Sequence, residues 1–268
     1  MRMYPPELDW HVVKDRIISG LRHYFEENGF EKGVIGLSGG LDSSTTAFLA
    51  AEALGPENLY AYIMPTKFTS KESINDALSV VEKIGLPRDN WQRINIEPIV
   101  KVVKGTLNIV DKKALGNTIA RIRMITLYYK ASERHALVIG TGDKSELLLG
   151  YFTKYGDGGV DILPIGDIYK TQLRKFAGFL GVPENIIRKP SSPELWPGHK
   201  AEDELGITYE EVDPILYLKF DLGYTDDQVI EKLGVKKELV ELVSKRYNAN
   251  KHKLQMPPII RVHDETII

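Results

Sequence analysis

The sequence predicts an α/β protein, a mostly parallel sheet with helices on both faces. Two observations carry this. Short apolar, β-branched runs alternate with helical patterns between residues 34 and 140, as βαβ units require. The strand-like runs, "VIGL" first among them, are apolar throughout, which marks strands buried on both faces. In such sheets ligands bind outside the carboxyl ends of the strands.

Residues 8–28 place Leu8, Val12, Val13, Ile17, Leu21, Tyr24 and Phe25 at helical spacing, and Gly29 ends the element. "VIGL" (34–37) is a strand. "DSSTTAFLAAEALG" (42–55) is a helix stopped by Gly55 and Pro56. A strand at 59–64, a helix at 70–85, a weaker strand at 91–96 and a helix at 97–110 follow. A long helix at 116–135 leads into the strand "ALVIG" (136–140). Beyond residue 150 the periodicity breaks. "YFTKYGDGGVDILP" is rich in glycine, a short helix is expected at 169–180, and the Pro/Gly-rich stretch 189–206 reads as a loop. Helices at 208–219, 225–233 and 235–247 precede a polar, proline-containing tail. Long Gly/Pro loops of this kind are often lids. With no linker visible, residues 1–268 are expected to form one domain, with mobile loops near 150–165 and 189–206.

The composition narrows the function classes. The 268 residues are 43% apolar and 27% charged, with a net charge of −2, so no broad basic field exists for a nucleic-acid backbone. There is no cysteine, which excludes thiol nucleophiles, thiolate metal sites and disulfides. Neither a signal peptide nor a membrane-spanning run is visible, and a cytoplasmic enzyme without membrane or nucleic-acid partners is the expectation.

"GVIGLSGGLDS" (33–43) runs from a strand through Ser38, Gly39 and Gly40 into a helix that opens with Asp42. A Gly-rich turn at a helix N-terminus is an anion site suited to phosphate. Asp42 repels a bare phosphate, and its presence makes sense with a divalent cation between the two. The competing reading is a plain glycine turn with Asp42 as the helix N-cap. The loop lacks both the Walker A lysine and the G-x-G-x-x-G spacing.

"SGGLDS" resembles the pyrophosphate loop of the N-type ATP pyrophosphatases, which cleave ATP between the α- and β-phosphates. "GTGDKSELLLGYFTKYGDGGVDILPIGDIYKTQLR" (140–174), "GNTIARIRM" (116–124), "PSSPELWPGHKAEDELG" (190–206) and "HK" (252–253) narrow the resemblance to the NAD synthetase family, over about residues 10–262. It implies an adenine nucleotide alpha-hydrolase-like, Rossmann-like fold. The implied reaction is ATP- and Mg²⁺-dependent amidation of deamido-NAD by ammonia through an acyl-adenylate.

On this resemblance Gly36, Leu37, Ser38, Gly39, Gly40, Leu41, Asp42, Ser43, Thr141, Lys170 and Ser192 bind ATP, and Asp42 and Glu146 hold Mg²⁺. Arg121, Lys154, Asp161, His252 and Lys253 contact deamido-NAD. Asp157 positions or deprotonates the amine, and Lys170 meets ATP phosphate. Met64, at the end of the strand 59–64, is placed near the adenine by sheet geometry. Asn117, Arg121 and Tyr128 share a helix face, while Arg123 points elsewhere. Where many bacterial members read "GTDHAAE" this chain has "GTGDKSE", a change that falls on Asp143 and Lys144. The family typically forms homodimers. The sequence offers no nitrilase-like glutaminase domain and no nucleophilic Cys, so free ammonia is the expected nitrogen source. The competing readings are an RNA-modifying adenylating enzyme and a non-catalytic nucleotide sensor.

Overall fold

The computed structural model describes residues 4–260 and 262; residues 1–3, 261 and 263–268, the last of them the end of the predicted tail, lie outside. Helix α1 (Trp10–Glu27) is capped by Asp9, whose carboxylate accepts the His11 and Val12 amides. Then β1 (Lys32–Gly36), α2 (Leu41–Leu54), β2 (Leu59–Ile63), α3 (Lys71–Lys83), β3 (Trp91–Arg93), α4 (Glu97–Thr106), α5 (Lys112–Arg134) and β4 (Ala136–Ile139) complete the α/β part. The sheet order is β3-β2-β1-β4 and every pairing is parallel.

Alternation along the strands sorts the core into two layers, because successive side chains leave a strand on opposite faces. Ile35, Leu59, Ala61 and Ile139 pack with α1, α2, α3 and a later helix. Val34, Tyr60, Tyr62 and Val138 pack with α4 and α5. Helices on both faces of a parallel sheet are thus as the sequence predicts. The chain builds outward from β1 to β3, then returns to lay β4 against the other edge of β1. That reversal makes the gap between the carboxyl ends of β1 and β4 the topological switch point.

After β4 come α6 (Lys144–Leu149), α7 (Lys170–Leu180), α8 (Glu184–Arg188), α9 (Ala201–Leu205), α10 (Tyr209–Leu216), α11 (Asp226–Leu233) and α12 (Lys237–Asn250). Leu149, Tyr169, Val212, Leu216, Val229, Val240 and Val243 belong to a third core, so the C-terminal helices gather around α6. No helix among the described residues is long and apolar enough to cross a membrane.

Several boundaries differ from expectation. The weak strand stops at Arg93; Ile96 is already the N-cap of α4, with the Asn95 side chain accepting the Glu97 amide. Helix α4 ends at Thr106, with Asn108 at φ 49° beyond it. Helix α5 begins at Lys112, four residues before the predicted start, because Asp111 caps it by accepting the Ala114 amide at 2.7 Å. The end of the predicted loop 189–206 coils into α9, closed by Gly206 at φ 74°.

Candidate active site at the switch point

The loop after β1 folds on its own hydroxyls. Ser38 Oγ and Ser43 Oγ lie 2.9 Å apart, the Ser38 amide donates to Ser43 Oγ, and the Gly40 amide donates to Ser38 Oγ. Gly39 has φ 78°, and a Cβ there would lie 2.1 Å from the Ser73 carbonyl of α3. Only glycine serves at that position. Gly40 is the N-cap of α2 and provides no side-chain cap. Asp42 is therefore not the cap but a first-turn residue, which corrects the plain-turn alternative. The helix start keeps its partial positive charge directed at the space above the loop.

From the other side of the switch point, Asp143 caps α6 by accepting the Glu146 amide at 2.9 Å. This directs the first turn of α6 toward the loop. Asp42, Asp143 and Glu146 can bring one carboxylate oxygen each within 4.8 Å of one another. Lys170, the first residue of α7 and fully buried, lies among them. Its Nζ is 2.6 Å from Asp42 Oδ1, 2.7 Å from Asp143 Oδ2 and 2.9 Å from Glu146 Oε1. With all three carboxylates ionised, the single ammonium would leave an excess of two negative charges.

The electrostatics follow from this crowding. Burial pushes the Asp143 carboxyl up to about 6, with Lys170 pulling the other way and Asp42 adding to the rise. Burial and the neighbouring acids raise Glu146 well above its ordinary value, again against Lys170. For Lys170, burial alone would lower the ammonium's pKa, but Asp143, Asp42 and Glu146 overcome it and hold the pKa well above its usual value. An all-oxygen, excess-negative donor set fits a hard divalent cation such as Mg²⁺ and suits no soft metal.

Thr141 leaves the end of β4 on the same rim, half-buried. Met64 is buried on the α5 face of the sheet, against Gly36. Ser192 donates to the His199 carbonyl, and its Oγ accepts the Glu194 amide. The loop carrying it is tied down by Glu194, which accepts from Ser73 Oγ at 2.9 Å.

The predicted dinucleotide contacts gather around the segment 150–161. Asn117 accepts from Thr153 Oγ1, Arg121 donates to the Lys154 carbonyl and Tyr128 donates to Asp161, so the shared helix face is real. Asp161 also accepts the Val138 amide at 2.7 Å, which commits both its oxygens to the frame. Lys154 Nζ donates to the His252 carbonyl, and Lys253 Nζ to the Gly150 and Phe152 carbonyls. Asp157 is exposed, and its Oδ1 accepts the Thr153 amide at 2.9 Å. Lost hydration raises its carboxyl, opposed by the Thr153 amide and by Arg123 and Lys253.

Four features escape sequence reasoning. Arg123, off the face shared by Asn117, Arg121 and Tyr128 as expected, is half-buried, donates from Nε to the Met64 carbonyl and faces the charges of Asp157 and Glu194. Asp143 joins the carboxylate cluster; its position three residues before Glu146 is the readable N-cap signal. Glu194 anchors the 189–206 loop with nothing local to announce it. Lys144, by contrast, leaves the site and pairs with Asp167 and Asp221 at 2.7 and 2.6 Å.

The sequence profile of the family described as NAD synthase matches residues 13–257. The NH(3)-dependent NAD(+) synthetase of Sulfurisphaera tokodaii is 45% identical over 260 residues, covering 97% of this chain and 92% of the relative. Among solved structures, the NMN synthetase from Francisella tularensis superposes with a TM-score of 0.82 at 31% identity, over 95% of this chain and 99% of that one. The NH3-dependent NAD synthetase from Campylobacter jejuni gives 0.80 at 31% identity, over 95% and 100%. Taken with the switch-point loop, these likenesses place the chain in the NAD synthase family.

Proposed function

We propose that this protein is an ammonia-dependent NAD synthetase: it amidates deamido-NAD with ATP and ammonia, releasing NAD, AMP and pyrophosphate. The observation that carries this reading is the meeting of the Ser38–Ser43 loop with Asp42, Glu146 and Lys170 at the switch point. In the reaction a nicotinate carboxylate oxygen attacks the α-phosphorus of ATP and the bond to pyrophosphate breaks. Ammonia then attacks the acyl carbon, loses a proton, and AMP departs.

Both partners in the first step are anionic, so the residues that bring positive charge decide its rate. The loop from Gly36 to Ser43 cradles the pyrophosphate with its hydroxyls and the α2 N-terminus. Lys170 Nζ faces the transferred phosphate, with Thr141 and Ser192 as hydroxyl donors and Met64 beside the adenine. Mg²⁺, when bound by Asp42 and Glu146 beside Asp143, supplies further neutralisation of phosphate charge. Arg121, Lys154, Asp161, His252 and Lys253 shape the deamido-NAD side, and Asp157 accepts the amine proton. The segments 150–165 and 189–206 cover the bound substrates. Ile125 and Tyr129 of α5 and Val102 of α4 are large, apolar and exposed, which supports a homodimer. The absence of cysteine supports direct use of ammonia, and a cytoplasmic location goes with these substrates.

The test mixes protein, ATP, Mg²⁺ and deamido-NAD with ammonium or glutamine, and follows NAD and pyrophosphate. NAD with ammonium alone is expected. ATP binding without pyrophosphate release would sink the proposal. Nicotinic acid mononucleotide is run in parallel, because the Francisella neighbour is an NMN synthetase; faster turnover of the mononucleotide would reassign the substrate. Light scattering at twice 30.2 kDa is expected for the dimer.

A further inference from the structure

Asp213, on α10, is fully buried, yet none of the roles above uses it. Its Oδ1 accepts from Ser145 Oγ at 2.6 Å, and its Oδ2 accepts from the Thr171 amide at 2.9 Å and from Thr171 Oγ1 at 2.7 Å. Ser145 Oγ in turn accepts the Lys170 amide at 2.9 Å. Ser145 directly precedes Glu146, and Thr171 directly follows Lys170. One carboxylate thus ties the first turn of α6 to the first turn of α7, at the two residues flanking the groups that face each other across the site.

We propose that Asp213 is a positioning residue for the reaction: it sets Glu146 and Lys170 at the separation that metal and phosphate binding need. The inference rests on the reading of this site as an ATP and metal site. A buried carboxylate is costly unless it is fully paired, and an apolar residue would join two helix ends at lower cost. What the carboxylate adds is direction. It accepts three hydrogen bonds of fixed geometry, and it complements the dipole of α7 from outside that helix. It also occupies the α7 start. With the Lys170 and Thr171 amides both taken, that end of α7 meets an anion through Lys170 Nζ. Val212, Ile215 and Leu216 on either side are buried in the C-terminal core. That core is therefore the rigid mount on which the two side chains are aligned.

The test compares wild type with Asp213→Asn and Thr171→Val. Thr171→Val keeps the shape and the amide and deletes one donor to Asp213. Each protein is assayed for pyrophosphate release and, without ATP, for binding of Mn²⁺ alone by electron paramagnetic resonance, at temperatures well below its own Tm. For Asp213→Asn we expect a fall in kcat of about 10- to 100-fold and a comparable weakening of Mn²⁺ binding, the usual cost of removing a group that orients a ligand. KM for deamido-NAD should stay within about twofold, because the 150–161 side of the site is untouched. Thr171→Val should move kcat and Mn²⁺ affinity in the same direction by less. If Asp213→Asn does not fold, Thr171→Val and Ser145→Ala decide. Lower Tm values with wild-type kcat and Mn²⁺ affinity in the variants would make Asp213 a purely structural residue and overturn the inference. A wild type that neither binds Mn²⁺ nor releases pyrophosphate would overturn the reading of the site itself, and this inference with it.

Discussion

Lys170 Nζ and Asp42 Oδ1 lie 2.6 Å apart although 128 residues separate them in the chain. The contact joins the loop after β1 to the start of α7 across the switch point. It places a fully buried ammonium against carboxylates from two more positions, Asp143 and Glu146. In the absence of substrate the lysine is the counter-ion of the acidic cluster. Phosphate and a cation together would satisfy the same charges in another arrangement.

Lys170→Met should therefore cost stability as well as activity. Removing one partner of a buried ion pair typically costs about 3–5 kcal/mol, and here three carboxylates lose their common cation. Thermal melts should show a large drop that millimolar Mg²⁺ partly restores. A drop that ignores Mg²⁺ would mean the cluster holds no cation.

Asp42→Asn should separate function from stability. Its side chain is partly exposed and its neighbours are acids, so neutralising it relieves repulsion while Lys170 keeps two carboxylate partners. Pyrophosphate release should fall by about 10²- to 10³-fold, the scale of losing one electrostatic contact at a reacting centre. The Tm should stay at or above that of wild type. Calorimetry and a coupled pyrophosphate assay check the two halves.

The raised carboxyl of Asp143 carries a pH signature. Its folded value of about 6 lies above the ordinary 3.8, so the native state binds more protons than the unfolded chain between these values. The contribution of this group to stability is present below 3.8 and is lost as pH rises through about 6. Asp143→Asn removes that slope. Without Mg²⁺, the Tm of the variant relative to wild type should rise from pH 4 to pH 7. A difference independent of pH would refute the assignment.

Gly39→Ala tests the loop. The new Cβ would sit 2.1 Å from the Ser73 carbonyl at φ 78°, so loop and α3 must move apart. We expect a destabilisation of at least about 1–3 kcal/mol together with a raised KM for ATP. Gly20→Ala, inside α1 where a Cβ meets nothing within 4 Å, should leave the KM for ATP unchanged and raise stability by up to about 1 kcal/mol, and is the control.

Much of this was legible in the sequence for local reasons. The strand–helix alternation, and with it the parallel sheet, follows from periodicity, which each segment carries within itself. The loop 38–43 is readable because glycine, serine and a first-turn acid at a helix start suit phosphate and a cation, while the choice between that and a plain N-capped turn needs the cap geometry. Glu146 and Lys170 are legible through the family pattern, and the structure brings them to Asp42. Asp143 and Arg123 were not legible in the same way. Cap geometry turns Asp143 into the cluster, and the packing of α5 against the sheet brings Arg123 to the Met64 carbonyl beyond β2.

By itself, then, the sequence determined the element types, the phosphate-suited loop and the absence of thiol chemistry, because these depend on residues adjacent in the chain. Only the tertiary structure decided that β4 lies beside β1, and so that two loops a hundred residues apart share one rim. It also decided that Lys170 is enclosed by three acids, and that Asp213, on a distant helix, holds Ser145 and Thr171. These relations depend on how helices pack and how buried charges find partners, which no local pattern in the chain encodes.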